Sequence, residues 1–134
     1  MLDTNVVVSA MISHLDHGYP ALLLRKMIAR EFVPVYSSAI MAEYAEVLRR
    51  PKFKFRERDV ELVLGEIRHL GVRQEKLAGM TGFPTCPDPD DQEFYDVIHS
   101  ADALLVTGNL KHFPKENRMF SPAGYVNGAV GGKG

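Results

Sequence analysis

The sequence predicts an α/β fold, with a parallel sheet at the centre and helices on its faces. Short apolar, β-branched segments alternate with longer runs of helical period, the pattern of strand–helix–strand units. The chain has 134 residues, 46% hydrophobic and 25% charged, the size and make-up of one globular domain with a sizeable core. No internal repeat or linker divides it. Parallel α/β sheets place their sites at the carboxyl ends of the strands, which directs attention to Asp3 and to Thr107-Gly108-Asn109.

Val6-Val7-Val8 continues the apolar start Met1-Leu2 and predicts a buried strand or its end. A polar stretch with His14, Asp16, His17 and Gly18 follows, and Pro20 introduces a helix from Ala21 to Arg30. Phe32 to Tyr36 reads as a short strand weakened by Pro34. Ser37 or Ser38 offers the capping oxygen of a helix reaching Leu48. Arg49-Arg50-Pro51 closes it, because the residue before a proline disfavours helical backbone. From about Glu57 to Leu70, Val60, Val63, Leu64, Ile67 and Leu70 form the apolar stripe of the next helix, with Gly71 as its stop. Val72 to Leu77 predicts a polar strand, and Gly79 to Pro89 a loop. Phe94, Val97, Ile98 and Ala101 then share one helix face. Ala103 to Thr107 is a buried strand turning at Gly108-Asn109, and Met119-Phe120 belongs to a last short strand. Residues 1–126 form the domain, and the glycine-rich 127–134 is expected to be a flexible tail.

A net charge of −1 gives no global basic field, so any nucleic acid must be held by a local patch or a metal. Cys86 is the single cysteine, which excludes an intrachain disulfide and a cysteine zinc set. No apolar run spans a bilayer and no secretory leader is evident, so a cytoplasmic setting is the expectation.

Asp3, Glu43 and the Asp90-Asp91 pair stand at three separated turning points and converge only by folding. Converged carboxylates repel unless a divalent cation lies between them, and hard oxygen donors suit Mg²⁺ or Mn²⁺. Such a cage is the usual apparatus for cutting phosphodiesters. Helical phase narrows the set. Ile40, Tyr44, Val47 and Leu48 form one arc with Glu43 at its edge, whereas Glu46 lies toward solvent. A rim glutamate in a salt bridge is an equal alternative for Glu43. Asp91 shares the face of Phe94 and Ile98 while Asp90 flanks it, so phase leaves both open. Asp88 or Asp90 also suits a helix cap, and Asp96 is expected to be solvated.

In order along the chain, Asp3-Thr4-Asn5-Val6 with Ser9-Ala10 resembles the opening motif of the PIN domain, a family of metal-dependent nucleases. Ser37 through Glu43 to Leu48, with Arg50-Pro51-Lys52-Phe53, resembles its second block. Asp88-Pro89-Asp90-Asp91 with Phe94, then Ala101-Asp102 and Val106-Thr107-Gly108-Asn109, resemble the third and fourth. The set spans about residues 2 to 125 and is most similar to PIN-family toxins of bacterial and archaeal toxin–antitoxin systems. The resemblance implies a three-layer α/β/α sandwich around a mainly parallel twisted sheet. It carries Asp3, Glu43 and Asp91 over as catalytic, metal-holding acids, with Asn5, Thr107 and Asn109 in support. Asn109 stands where many relatives have a fourth aspartate, which bears on whether one or two ions are held. Relatives also carry a longer first strand than Met1-Leu2, implying a shortened strand or a start upstream.

The implied activity is Mg²⁺- or Mn²⁺-dependent hydrolysis of RNA, with a cognate antitoxin and a homodimer as expected protein partners and no membrane. Rival readings are a noncatalytic nucleic-acid-binding or interaction module on the same fold, and a PIN nuclease of RNA processing or DNA metabolism. Arg49, Arg50 and Lys52, in a basic cluster continued by Lys54, Arg56 and Arg58, are the candidate RNA contacts. Phe53 and Phe55 are available for base stacking, although docking into the core is the favoured expectation for them. Apolar faces around Leu22 to Ile28 and Val60 to Leu70 suit either core or a partner groove. His14, His17, His69, His99 and His112 are expected at the surface or in structural hydrogen bonds, with His112 best placed to approach the site. Cys86 lacks a paired histidine and is not expected to act as a nucleophile.

Overall fold

The structure is a computed structural model that describes residues 1–13, 18–79 and 84–131. The sequence expectations for His14, Asp16 and His17, for 80–83 of the loop and for the last three tail residues fall outside these.

Leu2 is extended and pairs in parallel with Val106, and the Asp3 N–H donates to the Val106 carbonyl at 2.9 Å. Asp3 then becomes a helix cap, its Oδ1 accepting from the Thr4 N–H at 2.8 Å, and α1 (Thr4–Ile12) follows at once. This corrects the strand expected through Val6-Val7-Val8. Thr4, Val6, Val7, Val8, Ala10 and Met11 are all buried, leaving a narrow open face of Asn5, Ser9 and Ile12, and the β-branched run imitates a strand.

Next come α2 (Tyr19–Ile28), with Pro20 in its first turn, and β1 (Val35–Tyr36). Ser37, whose Oγ accepts from the Ile40 N–H at 3.1 Å, caps α3 (Ser38–Leu48). A 3₁₀ turn (Pro51–Phe53) leads to α4 (Glu57–Leu70) and β2 (Val72–Arg73). A second 3₁₀ turn (Pro89–Asp91) opens α5 (Gln92–Ala101). Then come β3 (Leu105–Val106), a 3₁₀ turn (Leu110–His112), β4 (Met119–Phe120) and α6 (Pro122–Gly131). Helical structure thus continues past Asn127, where the glycine-rich composition signals only a tail.

All strand pairing is parallel: β1 with β2, β3 with β4, and Leu2 with β3. Leu105 and Thr107 donate to the chain around β4, whereas Val106 donates to Met1, so β3 is flanked on both sides. The α/β class is as the alternation predicts, but the pairing forms two short ladders rather than one continuous sheet. A cavity of about 200 Å³ lined by Leu2, Val35 and Val106 lies between them.

Helix α5 packs on β1 and β3, α1 on α2 and α3, and α3 on α4. Leu23, Met27, Ile40, Val97, Ile98 and Leu105 are fully buried between these layers. Each such side chain contributes about 1.5–3 kcal/mol by leaving water. Asp96 corrects a second expectation: it is 2% exposed rather than solvated, and its Oδ1 accepts from Gln92 Nε2 at 3.0 Å. One helical turn separates the two, so the buried carboxylate is satisfied locally. Phe53 and Phe55 stack on each other with centroids 5.6 Å apart and pack against the core, as favoured for them.

Candidate functional site

The ends of Leu2 and β3, the first turn of α1, the middle of α3 and the 3₁₀ turn before α5 surround one open cavity of about 610 Å³. Asp3, Glu43, Asp88, Asp90, Asp91, Asn109 and His112 line it, together with Arg50 and Phe53. Three chain segments far apart in sequence thus present carboxylates to a common space at the strand ends.

Each acid is positioned differently. Asp3 is buried at the base, where Thr107 Oγ1 donates to its Oδ2 at 2.6 Å and the Thr4 N–H donates to its Oδ1 at 2.8 Å. Asn5 Nδ2 approaches the same Oδ2 at 3.4 Å, while Asn5 Oδ1 accepts from the Gly108 N–H at 3.2 Å, fastening α1 to the turn after β3. Glu43, half-buried on the side of α3, accepts from Thr4 Oγ1 at 2.5 Å. Beneath them the Tyr44 hydroxyl donates to the Leu2 carbonyl, fixing α3 against the first extended residues. Asp88 caps the 3₁₀ turn, its Oδ1 accepting from the Asp90 N–H at 2.9 Å. Asp90 is exposed. Asp91 is half-buried, and its buried Oδ2 has no hydrogen-bond partner.

The electrostatics follow from this crowding. Burial pushes the Asp3 carboxyl above the usual carboxylate range, against the lowering effect of Thr107 and Thr4. Burial also raises Glu43, opposed by its bond to Thr4 and reinforced by the charge of Asp3. Asp91 is pushed up to about 6 by burial, then by the charges of Asp3 and Asp88. Acids held this way store mutual repulsion that a cation would relieve. The donors are hard oxygens, and one buried oxygen lacks a partner, so their chemistry fits a divalent ion. Among the described residues, no three His, Cys, Asp or Glu side chains are already drawn close enough to enclose one. Glu43 is held by Thr4 instead, so closing on an ion requires side-chain rotation.

The supporting residues Asn5, Thr107 and Asn109 all meet this cavity or its floor. Asn109 lines it, and its N–H donates to Thr107 Oγ1 at 3.0 Å. The basic candidates divide. Arg49 bonds Glu57 and Glu61 on α4 and does not line the cavity. Arg50 lines it, held by Glu46 at 2.9 Å. The Lys52 ammonium stands 5.1 Å over the Phe53 ring, which faces the cavity. His99 bonds Glu116, and His69 is exposed. Cys86 is buried and its thiol is pushed up to about 11, which suits packing rather than nucleophilic attack.

Sequence reasoning missed Thr4, the partner of Glu43; its place beside the capping Asp3 is the one signal that could have found it. His112 has a larger place than expected, its Nδ1 lying 3.5 Å from Asp91 Oδ2.

An uncharacterized protein of the archaeon Methanocaldococcus jannaschii is 26% identical over 109 residues, covering 81% of this chain and 69% of that protein. No solved structure matches the chain. Residues 1–111 match the PIN domain, a nuclease-type family whose members generally use divalent metals. That match spans most of the chain and takes in Asp3, Glu43, Asp91 and Asn109 at the cavity, and the chain belongs to the PIN domain family.

Proposed function

We propose that this protein is a metal-dependent endoribonuclease, the toxin of a toxin–antitoxin pair, in which Asp3, Glu43 and Asp91 hold Mg²⁺ or Mn²⁺. The observation that carries the reading is the meeting of these three carboxylates around one cavity, with Asp91 Oδ2 left unpartnered. One or two divalent ions bound there supply an activated water and neutralise charge on the leaving oxygen.

The chain's own residues set up that chemistry. Thr107, Thr4 and Asn5 fix the Asp3 carboxylate, so its orientation is set before any substrate arrives. Glu43 and Asp91 oppose each other's charge, which disfavours the unloaded state and favours uptake of a cation. Arg50 and Phe53 form the rim and offer an RNA strand a charge and an aromatic face.

A protein partner has support elsewhere. An apolar cavity of about 450 Å³ between α2 and α4 is lined by Met11, Leu24, Ile28, Phe55, Leu62 and Val63. Ile28 and Leu62 are 52% and 64% exposed, so part of the apolar surface expected as core is open to an antitoxin segment or a second copy.

The test is cleavage of mixed RNA with Mg²⁺ or Mn²⁺ beside chelated controls. Asp3→Asn is expected to abolish cutting while the protein keeps its circular dichroism and melting behaviour. Equal metal-dependent cleavage by the folded mutant would sink the site assignment. The neutral Asn109 at the cavity favours one rival, a noncatalytic RNA-binding module, which binding without metal-dependent cleavage would establish. Growth arrest on expression, relieved by a neighbouring small gene product, separates a toxin from an enzyme of RNA processing or DNA metabolism.

A further inference from the structure

We infer that the His112 imidazole is itself a metal ligand, making the centre a mixed nitrogen–oxygen site rather than an all-carboxylate one. The inference rests on reading the acidic cavity as a metal site.

Geometry carries it. His112 Nδ1 stands 3.5 Å from Asp91 Oδ2. A charge-assisted hydrogen bond between such groups closes to about 2.7–2.9 Å, so this pair has not formed one. Asp91 Oδ2 is buried and has no other partner. The pair stands at ion-pair distance, and the same separation is near the span across a single ion. Two ligands bound at about 2.0–2.2 Å on adjacent positions of one metal lie roughly 3.0–3.4 Å apart.

The turn that carries the histidine is anchored. The His112 N–H donates to the Asn109 carbonyl at 2.9 Å, and the next residue, Phe113, is buried in the core at 5% exposure. The turn that presents the imidazole is thus fixed by its backbone and by Phe113, with the ring itself exposed beside the cavity. His112 lines the same cavity as Asp3 and Asp91. A neutral ring adds a donor without adding a fourth negative charge, on the same turn that presents the uncharged Asn109. Imidazole suits iron and later first-row ions best; of Mg²⁺ and Mn²⁺, both mainly oxygen-seeking, Mg²⁺ is the more reluctant to exchange water for a ring nitrogen. The preference expected of this centre is therefore for Mn²⁺ over Mg²⁺.

Pulsed electron paramagnetic resonance of the Mn²⁺-loaded protein, in buffer free of amines and imidazole, tests this directly. A ¹⁴N coupling of a directly bound ring is expected in the wild type and is lost in His112→Ala. Calorimetric titration of the same proteins is expected to show Mn²⁺ affinity falling roughly 10- to 100-fold, and Mg²⁺ affinity falling less. His112→Gln, which keeps a polar side chain without the ring, is expected to lose the coupling too. The wild-type spectrum needs no variant, so misfolding of a mutant leaves the test standing. Mn²⁺ bound without nitrogen coupling, and with unchanged affinity in His112→Ala, overturns the inference but leaves the acidic site. A protein that binds no Mn²⁺, or binds it equally well as Asp3→Asn, overturns both.

Discussion

Asp91 titrates near pH 6 because burial and the charges of Asp3 and Asp88 all oppose its ionisation. Its ordinary value is 3.8, so between the two the folded protein keeps a proton that the unfolded chain gives up. The stabilising contribution is complete below the lower value and is lost as pH rises through the upper one. The Met1 amine, lowered to about 5 by burial, works in the opposite sense, so the total pH profile does not isolate Asp91. A difference between two proteins does. Asp91→Asn stays neutral throughout and is expected to stabilise the metal-free fold by about 1–2 kcal/mol at pH 7.5, with the gain vanishing near pH 4. Urea unfolding in chelator at both pH values measures it, and a gain of equal size at pH 4 would contradict the account. The same carboxylate must lose its proton to take a cation, so wild-type Mn²⁺ affinity is expected to rise as pH passes up through about 6.

Among the elements, α4 was legible at both ends, because Val60, Leu64 and Ile67 repeat on one face and the opposite face is charged. The start of α3 was legible in Ser37, a capping oxygen just ahead of an apolar helix. Helix α1 was not, since its open face is narrow, Asn5, Ser9 and Ile12, and ends in an apolar residue, while three consecutive valines read as a strand. Asp96 was misplaced because a charge is read as solvated unless its partner is seen, and Gln92 is visible only once the helix exists. Gly71 shows a further limit. The sequence marks it as a stop, but its backbone is extended with φ −101, so no special conformation requires glycine. What requires it is space: a Cβ would meet the carbonyl oxygens of Ile67 and Pro34, each at 2.5 Å. Both are backbone atoms, and Pro34 also accepts the first bond of the β1–β2 region from the Val72 N–H at 2.9 Å. Gly71→Ala is therefore expected to cost about 1–3 kcal/mol. Chemical denaturation checks it, and a change within measurement error would refute the close approach.

At the scale of the whole molecule, a net charge of −1 means that the RNA substrate proposed above would have to be gripped by a few local cations beside an acidic cavity. The sequence shows one basic cluster, but composition cannot say which of its charges are already spent. The structure divides them: Arg49 is bound by Glu57 and Glu61 and Arg50 by Glu46, while Lys52 lies over Phe53 at the cavity rim. An arginine already paired with carboxylates displaces few counterions from a phosphate strand, whereas an ammonium without such a partner displaces its full share. Lys52→Ala is accordingly expected to make the salt dependence of single-stranded RNA binding shallower by roughly 0.7 in log–log slope, whereas Arg49→Ala leaves it nearly unchanged. The measurement uses the Asp3→Asn background, so that bound RNA is not consumed, across a series of salt concentrations. Equal slopes for Lys52→Ala and the parent, or an equal loss in Arg49→Ala, would show that RNA does not follow the path past Phe53.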